Sequence, residues 1–252
     1  VFAGLLTKVG VYAIIRTQTV LFPPDTQPGH LLLIVAGLTM VVGVFGAITQ
    51  NDIKRILSFH IISQIGYMIM GLGLFSLAGL AGAVLYIIHH IVVKTTLFLV
   101  AGLVEQRAGT GQLASLSGLA RAEPVLAVLF LVPALSLAGI PPFSGFVAKL
   151  ALVDAGIGGG EYLIVAVSLA VSLLTLFSMT KIWSNAFWGP PASHPAGPPR
   201  RAGLALMTGS TAALVALSIA IALWAGPLYA LSERTAADLI NPTSYIETVL
   251  GR

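Results

Sequence analysis

Three lysines stand inside long apolar runs of this sequence: Lys8, Lys94 and Lys149. An ammonium at the centre of a membrane-spanning helix costs about 2.5–3.5 kcal/mol on insertion scales, so such residues usually face a bundle interior and mark ion paths. The alternative is snorkelling, in which the four-carbon stem carries the charge to the interface. Lys8 stands about two turns from the first residue, and both readings stay open for it. Lys94 lies between Ile91-Val92-Val93 and Leu97-Phe98-Leu99-Val100, a position that disfavours snorkelling. Tyr86, His90 and Lys94 recur at four-residue spacing and share one helix face, flanked by His89 and Thr95. Histidine titrates near neutrality, and burial penalises a charged group. Two such groups one turn apart can pass a proton along through water. They can also act as buried polar residues that only join neighbouring helices. The pairing of His90 with Lys94 in one stripe favours the relay.

A second polar face follows i, i+3, i+4, i+7 spacing in His60, Ser63, Gln64 and Tyr67. It either lines a water path or hydrogen-bonds across helices. Further on, Gly139-Ile140-Pro141-Pro142-Phe143-Ser144-Gly145 interrupts an apolar run. Two prolines remove two backbone donors and clash with the preceding turn, so a helix must open there. Opened carbonyls at membrane depth are tolerated only against protein or water, and transporters place ion sites at such discontinuities. A simple proline kink is the other reading. Lys149 follows the break within about two turns. No carboxylate stands mid-run: Asp52, Glu105, Glu123, Asp154, Glu161 and Glu233 fall at helix ends or in loops. A sodium site calls for several hard oxygen ligands, so these residues suit protons instead. No metal site, cofactor or catalytic residue is expected: haem, iron–sulfur and nucleotide motifs are absent, and so is cysteine.

The elements that must position these residues follow from composition. The chain is 57% hydrophobic and 9% charged, with a mean hydropathy of +0.96. Soluble domains carry roughly 25% charged residues, so lipid is the solvent here, and nucleic acid is not expected as a partner. Apolar runs near 1–17, 31–50, 56–76, 79–104, 124–153, 161–188 and 203–230 predict an all-α, polytopic bundle of about seven helices, one of them proline-broken. Residues 1–231 read as the transmembrane domain and 232–252 as a polar tail forming a short amphipathic surface helix. Prolines at 23, 24 and 28 end the first run, and a proline-rich loop from Pro190 to Pro199 precedes the last. Alternate loops place Lys54, Arg55, Arg107, Arg121, Arg200 and Arg201 on one side, with Arg16, Arg234 and Arg252 on the other. The basic excess marks the first side as cytoplasmic and puts the C-terminus outside. The chain opens on an apolar run without an initiator Met or a visible signal peptide, which reads as a fragment or a processed chain.

Four segments occur in order: Leu5-Leu6-Thr7-Lys8-Val9-Gly10-Val11-Tyr12, Asp52-Ile53-Lys54-Arg55-Ile56-Leu57-Ser58, His89-His90-Ile91-Val92-Val93-Lys94-Thr95-Thr96-Leu97-Phe98 and Ala138-Gly139-Ile140-Pro141-Pro142-Phe143-Ser144-Gly145-Phe146. In sequence and separation they resemble the antiporter-like membrane subunits shared by respiratory complex I and the Mrp-type cation/proton antiporters. The ending from Leu239 to Leu250 resembles that of the D-type Mrp subunits, which also have lysine where Lys149 stands. The resemblance covers the whole chain but only the second half of a fourteen-helix fold, beginning at its eighth helix. It implies that Lys8 is the central relay lysine, that His90 and Lys94 continue the relay, and that Lys149 is the terminal group near the exit. His60 matches no relay position. The half with the family's glutamate and lysine is absent, and without it the fragment is not expected to conduct. The resemblance further implies the plasma membrane and other membrane subunits of a hetero-oligomeric complex exchanging sodium, or another cation, for protons. The proton-pumping arm of an NADH:quinone oxidoreductase or membrane hydrogenase, where the chain would serve a translocase, is the second expectation, and a non-conducting scaffold the third.

Overall fold

The computed structural model describes residues 2–22, 28–190 and 204–251. The expected stops at Pro23 to Asp25, most of the Pro190 to Pro199 loop, Arg200, Arg201 and Arg252 lie outside the described residues. Within the described residues the α-helices are joined by turns and loops, with no strand: α1 (Phe2–Leu21), α2 (Gly29–Thr49), α3 (Ile53–Gly73), α4 (Leu77–Ala108), α5 (Leu119–Ala122), α6 (Pro124–Ala138), α7 (Ser144–Gly158), α8 (Tyr162–Ile182), α9 (Leu204–Leu223), α10 (Ala225–Ile240) and α11 (Thr243–Leu250). Five of the seven expected spans are single helices long and apolar enough to cross a membrane: α2, α3, α4, α8 with its π-helical end, and α9. The first, α1, has the length but carries Lys8 and Arg16. The fifth divides into α6 and α7.

Local chemistry sets the ends. Asp52 caps α3 by accepting from the Arg55 N–H at 3.0 Å, and Ser76 caps α4 through the Gly79 N–H at 3.0 Å. Gly109 closes α4 in the left-handed conformation, its N–H returning to Glu105 O at 2.8 Å. Pro124 opens α6, where its missing donor is not needed. The tail differs from expectation. The last span stops at Leu223, and α10 begins at Ala225, ahead of the polar residues that were to start it. It packs against α4 and α1 and buries Ser232, Ala236 and Leu239, so its apolar stripe meets protein.

α4 is the central element, in contact with α1, α3, α6, α7, α9 and α10. Two apolar cores surround it. One gathers Ile53, Ile56 and Leu57 of α3, Val93 to Val104 of α4, the α6 side chains and Phe187. The other gathers Val11, Ile15, Met40, Tyr67 to Leu72, Leu80 to Tyr86, Leu152 and Leu239. On three helices buried polar side chains fall between the two cores: His60, Ser63 and Gln64 on α3, His89, His90 and Lys94 on α4, Thr175 and Ser178 on α8. At one end of the bundle Lys54 pairs with Glu105 at 2.5 Å and Arg107 with Glu123 at 2.9 Å. Lys181 donates there to Ile48 O, Gln50 O and Asn51 Oδ1 at 2.9, 2.7 and 3.0 Å.

Candidate functional site

The ionisable residues that the sequence singles out are buried in the bundle. Lys8 of α1 is 2% exposed, His90 and Lys94 of α4 are 0%, and Lys149 of α7 is 7%. Lys8 donates to Thr7 Oγ1 at 3.1 Å. Lys94 Nζ and both ring nitrogens of His90 have no hydrogen-bond partner among the described residues. Lys94 Nζ has the Phe98 ring 6.0 Å away, a distant contact that leaves its charge largely uncompensated.

A stack of rings joins the two ends of this group. His90 lies on Tyr86 with ring centroids 6.1 Å apart and planes 15° from parallel. Tyr86 lies on Tyr67 at 5.3 Å and 14°. The Lys149 ammonium then sits 4.8 Å from the Tyr67 centroid. Tyr86 donates to Gln64 Oε1. Tyr67 donates to Ser168 O at 2.5 Å and meets Ser172 Oγ at 3.3 Å. Lys149 donates to Ser172 Oγ at 2.7 Å and to Ala138 O at 3.2 Å. Tyr67, Tyr86 and Gln64 therefore belong to one assembly with the relay candidates. Ser63 does not: its hydroxyl goes to Met40 O at 3.0 Å and fastens α3 to α2. His60 lies apart, with Nε2 2.9 Å from Ser178 Oγ.

The helix break places Lys149. α6 ends at Ala138 and α7 starts at Ser144, so helical bonding lapses over the Gly-Ile-Pro-Pro-Phe segment between them. Gly139 takes a φ of 85°, and a Cβ there would come within 2.8 Å of Lys149 Cδ, so only glycine leaves room for the lysine stem. Pro141 and Pro142 follow and prevent the helix from resuming. Hydroxyls knit the two halves: Ser144 Oγ meets Ser136 Oγ at 3.1 Å and His89 Nδ1 at 2.8 Å. A Cβ on Gly145 would fall 1.7 Å from Ser136 O, so the halves touch backbone to backbone.

Two contributing hydroxyls, Ser172 and Ser178, carry no motif. They belong to a stripe, Ser168, Ser172, Thr175 and Ser178, whose spacing of four, three and three residues marks one face of α8. That spacing was the signal available in the sequence. No group of three or more potential ligands suited to a metal ion occurs among the described residues.

Comparison with known proteins gives a consistent picture. The family model described as NADH:quinone oxidoreductase/Mrp antiporter, TM, matches residues 1–175. A D-type Na(+)/H(+) antiporter subunit of Alkalihalophilus pseudofirmus is 50% identical over 99% of this chain and 50% of its own length. The Bacillus subtilis protein of the same name is 38% identical over 99% of the chain and 50% of its own. The chain thus spans about half the length of the curated relatives it matches. A chain in the structure of the Mrp complex from a Dietzia species superimposes with a TM-score of 0.91 at 39% identity, covering 99% of this chain and 54% of that one.

Proposed function

As the chain belongs to the NADH:quinone oxidoreductase/Mrp antiporter transmembrane family, we propose that it supplies a lysine/histidine proton relay to a membrane subunit of a multisubunit sodium/proton antiporter. The multi-pass membrane character is plain from its five long apolar helices and its family. The observation that carries the reading is the buried stack that runs from His90, one turn from Lys94, along Tyr86 and Tyr67 to Lys149, with Lys8 buried on α1, which packs against α4. Like charges in a low-dielectric interior repel, so a proton arriving at one lysine favours release from the next. Water bridges the gaps, and a histidine between two lysines serves as both acceptor and donor.

Lys54, Arg55, Arg107, Arg121 and Lys181 gather at the end of the bundle where α3 begins and α4 ends. The positive-inside rule makes that end cytoplasmic. α9 then runs outward and α10 starts outside, in a plasma membrane shared with the other subunits of the complex. A proton-pumping arm of an NADH:quinone oxidoreductase would use the same residues; 50% identity to an antiporter subunit favours the first reading.

The test is made in the complete subunit and complex. Lys149→Ala should abolish proton-coupled sodium transport and leave assembly intact. Lys149→Arg should also fail, because arginine stays protonated. Native transport by both variants from pH 7 to 9 would remove Lys149 from the relay.

A further inference from the structure

His60 is a fully buried titratable side chain that the path from Lys8 to Lys149 does not use. We propose that His60 and Ser178 form an inner branch of the relay, through which the buried assembly exchanges protons with water at the Lys54 and Lys181 end of the bundle. The inference rests on the relay reading above and deepens it.

His60 stands about two turns into α3 from that end. It is 0% exposed, its Nε2 lies 2.9 Å from Ser178 Oγ, and its Nδ1 has no hydrogen-bond partner among the described residues. A buried polar atom without a partner is costly, and buried polar groups are normally satisfied. A helix-joining role would be met by a serine or threonine bonded to Ser178, with no orphan nitrogen to maintain. A histidine gives something those residues do not: two nitrogens that exchange protons at opposite edges of one ring.

The groups around it define two directions. Gln64 stands one turn further along the same face of α3 and accepts from Tyr86 of the ring stack. That is the direction of the assembly. In the other, Ser178 is followed about one turn later by Lys181. Lys181 is half-buried at the bundle end and bound to the α2–α3 turn. The same α8 face carries Ser172, which holds Lys149, and the fully buried Thr175. In the step itself, His60 takes up a proton on one ring nitrogen and gives one up from the other. The imidazole ends as neutral as it began, with Ser178 Oγ and water as the exchange partners.

The branch is tested by accessibility and by rate in the complete complex. This chain has no cysteine, so Ser178→Cys and His60→Cys in a cysteine-free complex give unique thiols. Both should react with a small charged methanethiosulfonate applied from the Lys181 face and stay unlabelled from the opposite face. Gln106→Cys, exposed at the end of α4, is the reactive control. Independently, His60→Gln should assemble and slow proton-coupled transport by about tenfold or more. Absence of labelling from the Lys181 face while the control labels fully would overturn the branch. So would native-rate transport by His60→Gln, whatever the labelling. If Lys149→Ala is inactive while His60→Gln runs at the native rate, the branch fails and the relay stands. If both Lys149 variants transport natively, the relay itself fails.

Discussion

The Lys149 ammonium lies over the ring of Tyr67, 4.8 Å from its centroid, while the hydroxyl of the same tyrosine bonds to the neighbouring helix α8 through Ser168 O. The ring and the hydroxyl therefore have separable jobs. A desolvated cation over an aromatic face gains about 2 kcal/mol, and a neutral hydrogen bond contributes about 1 kcal/mol. Tyr67→Phe keeps the ring and should retain transport within a few fold. Tyr67→Leu should lower it by about tenfold or more. Initial rates of sodium-driven proton movement in vesicles check this, and equal rates in the two variants would show the ring to be irrelevant.

Lys94 is fully buried, with no hydrogen-bond partner among the described residues. Such a charge lowers stability and is retained for what it does. Lys94→Met preserves volume and removes the ammonium. It should lose transport yet raise the thermal midpoint, at about 2–4 °C per kcal/mol gained. Thermal unfolding of the purified complex measured beside its activity decides. A midpoint lowered by several degrees would mean that Lys94 is structural.

Two glycines separate contact from composition. A Cβ on Gly145 would fall 1.7 Å from Ser136 O, whereas one on Gly10 meets nothing within 4 Å. Gly145→Ala should destabilise by about 1–3 kcal/mol or more, because backbone must move. Gly10→Ala should be neutral or gain up to about 1 kcal/mol from helix propensity. Yield and thermal midpoint of each variant are the readout.

Lys181 and Lys54 make a similar pair at the inner end. Lys181 donates to three oxygens of the α2–α3 turn. Lys54 forms one ion pair with its side chain 45% exposed. Lys181→Met should cost about 1.5–3 kcal/mol, the range for a lost charged hydrogen bond. Lys54→Ala should stay within about 1 kcal/mol. Denaturation of the two variants under one condition ranks them, and the reverse order would be wrong for this geometry.

The lysines, His90 and the proline break stood out in the sequence because charge and proline are expensive inside lipid wherever they point. The hydroxyls did not stand out, for a physical reason. Serine and threonine in a helix can satisfy themselves on the carbonyl four residues back, as Thr96 does on Val92 O and Thr175 on Val171 O. Their presence therefore does not reveal which ones face a partner, and Ser172 and Ser178 were passed over. Lys181 was hidden by lying at the end of an apolar run, where a long stem is unremarkable. The α9–α10 boundary was misplaced because Trp224 to Leu231 carries no charge, so nothing in composition marks the end of the span. Hydropathy cannot distinguish a helix packed on α4 from one packed on lipid.

The interrupted helix has an electrical consequence. Peptide dipoles sum along each half, so α6 brings the negative pole of a macrodipole into the middle of the bundle at Ala138. Lys149 donates to the carbonyl of that residue. Its charge is thus met by a helix terminus instead of a carboxylate, and this counter-charge is fixed, partial and unable to take the proton. When Lys149 deprotonates, no ion pair has to separate and no acid is left beside it to recapture what it released. A continuous helix would have buried that pole in its own hydrogen bonds.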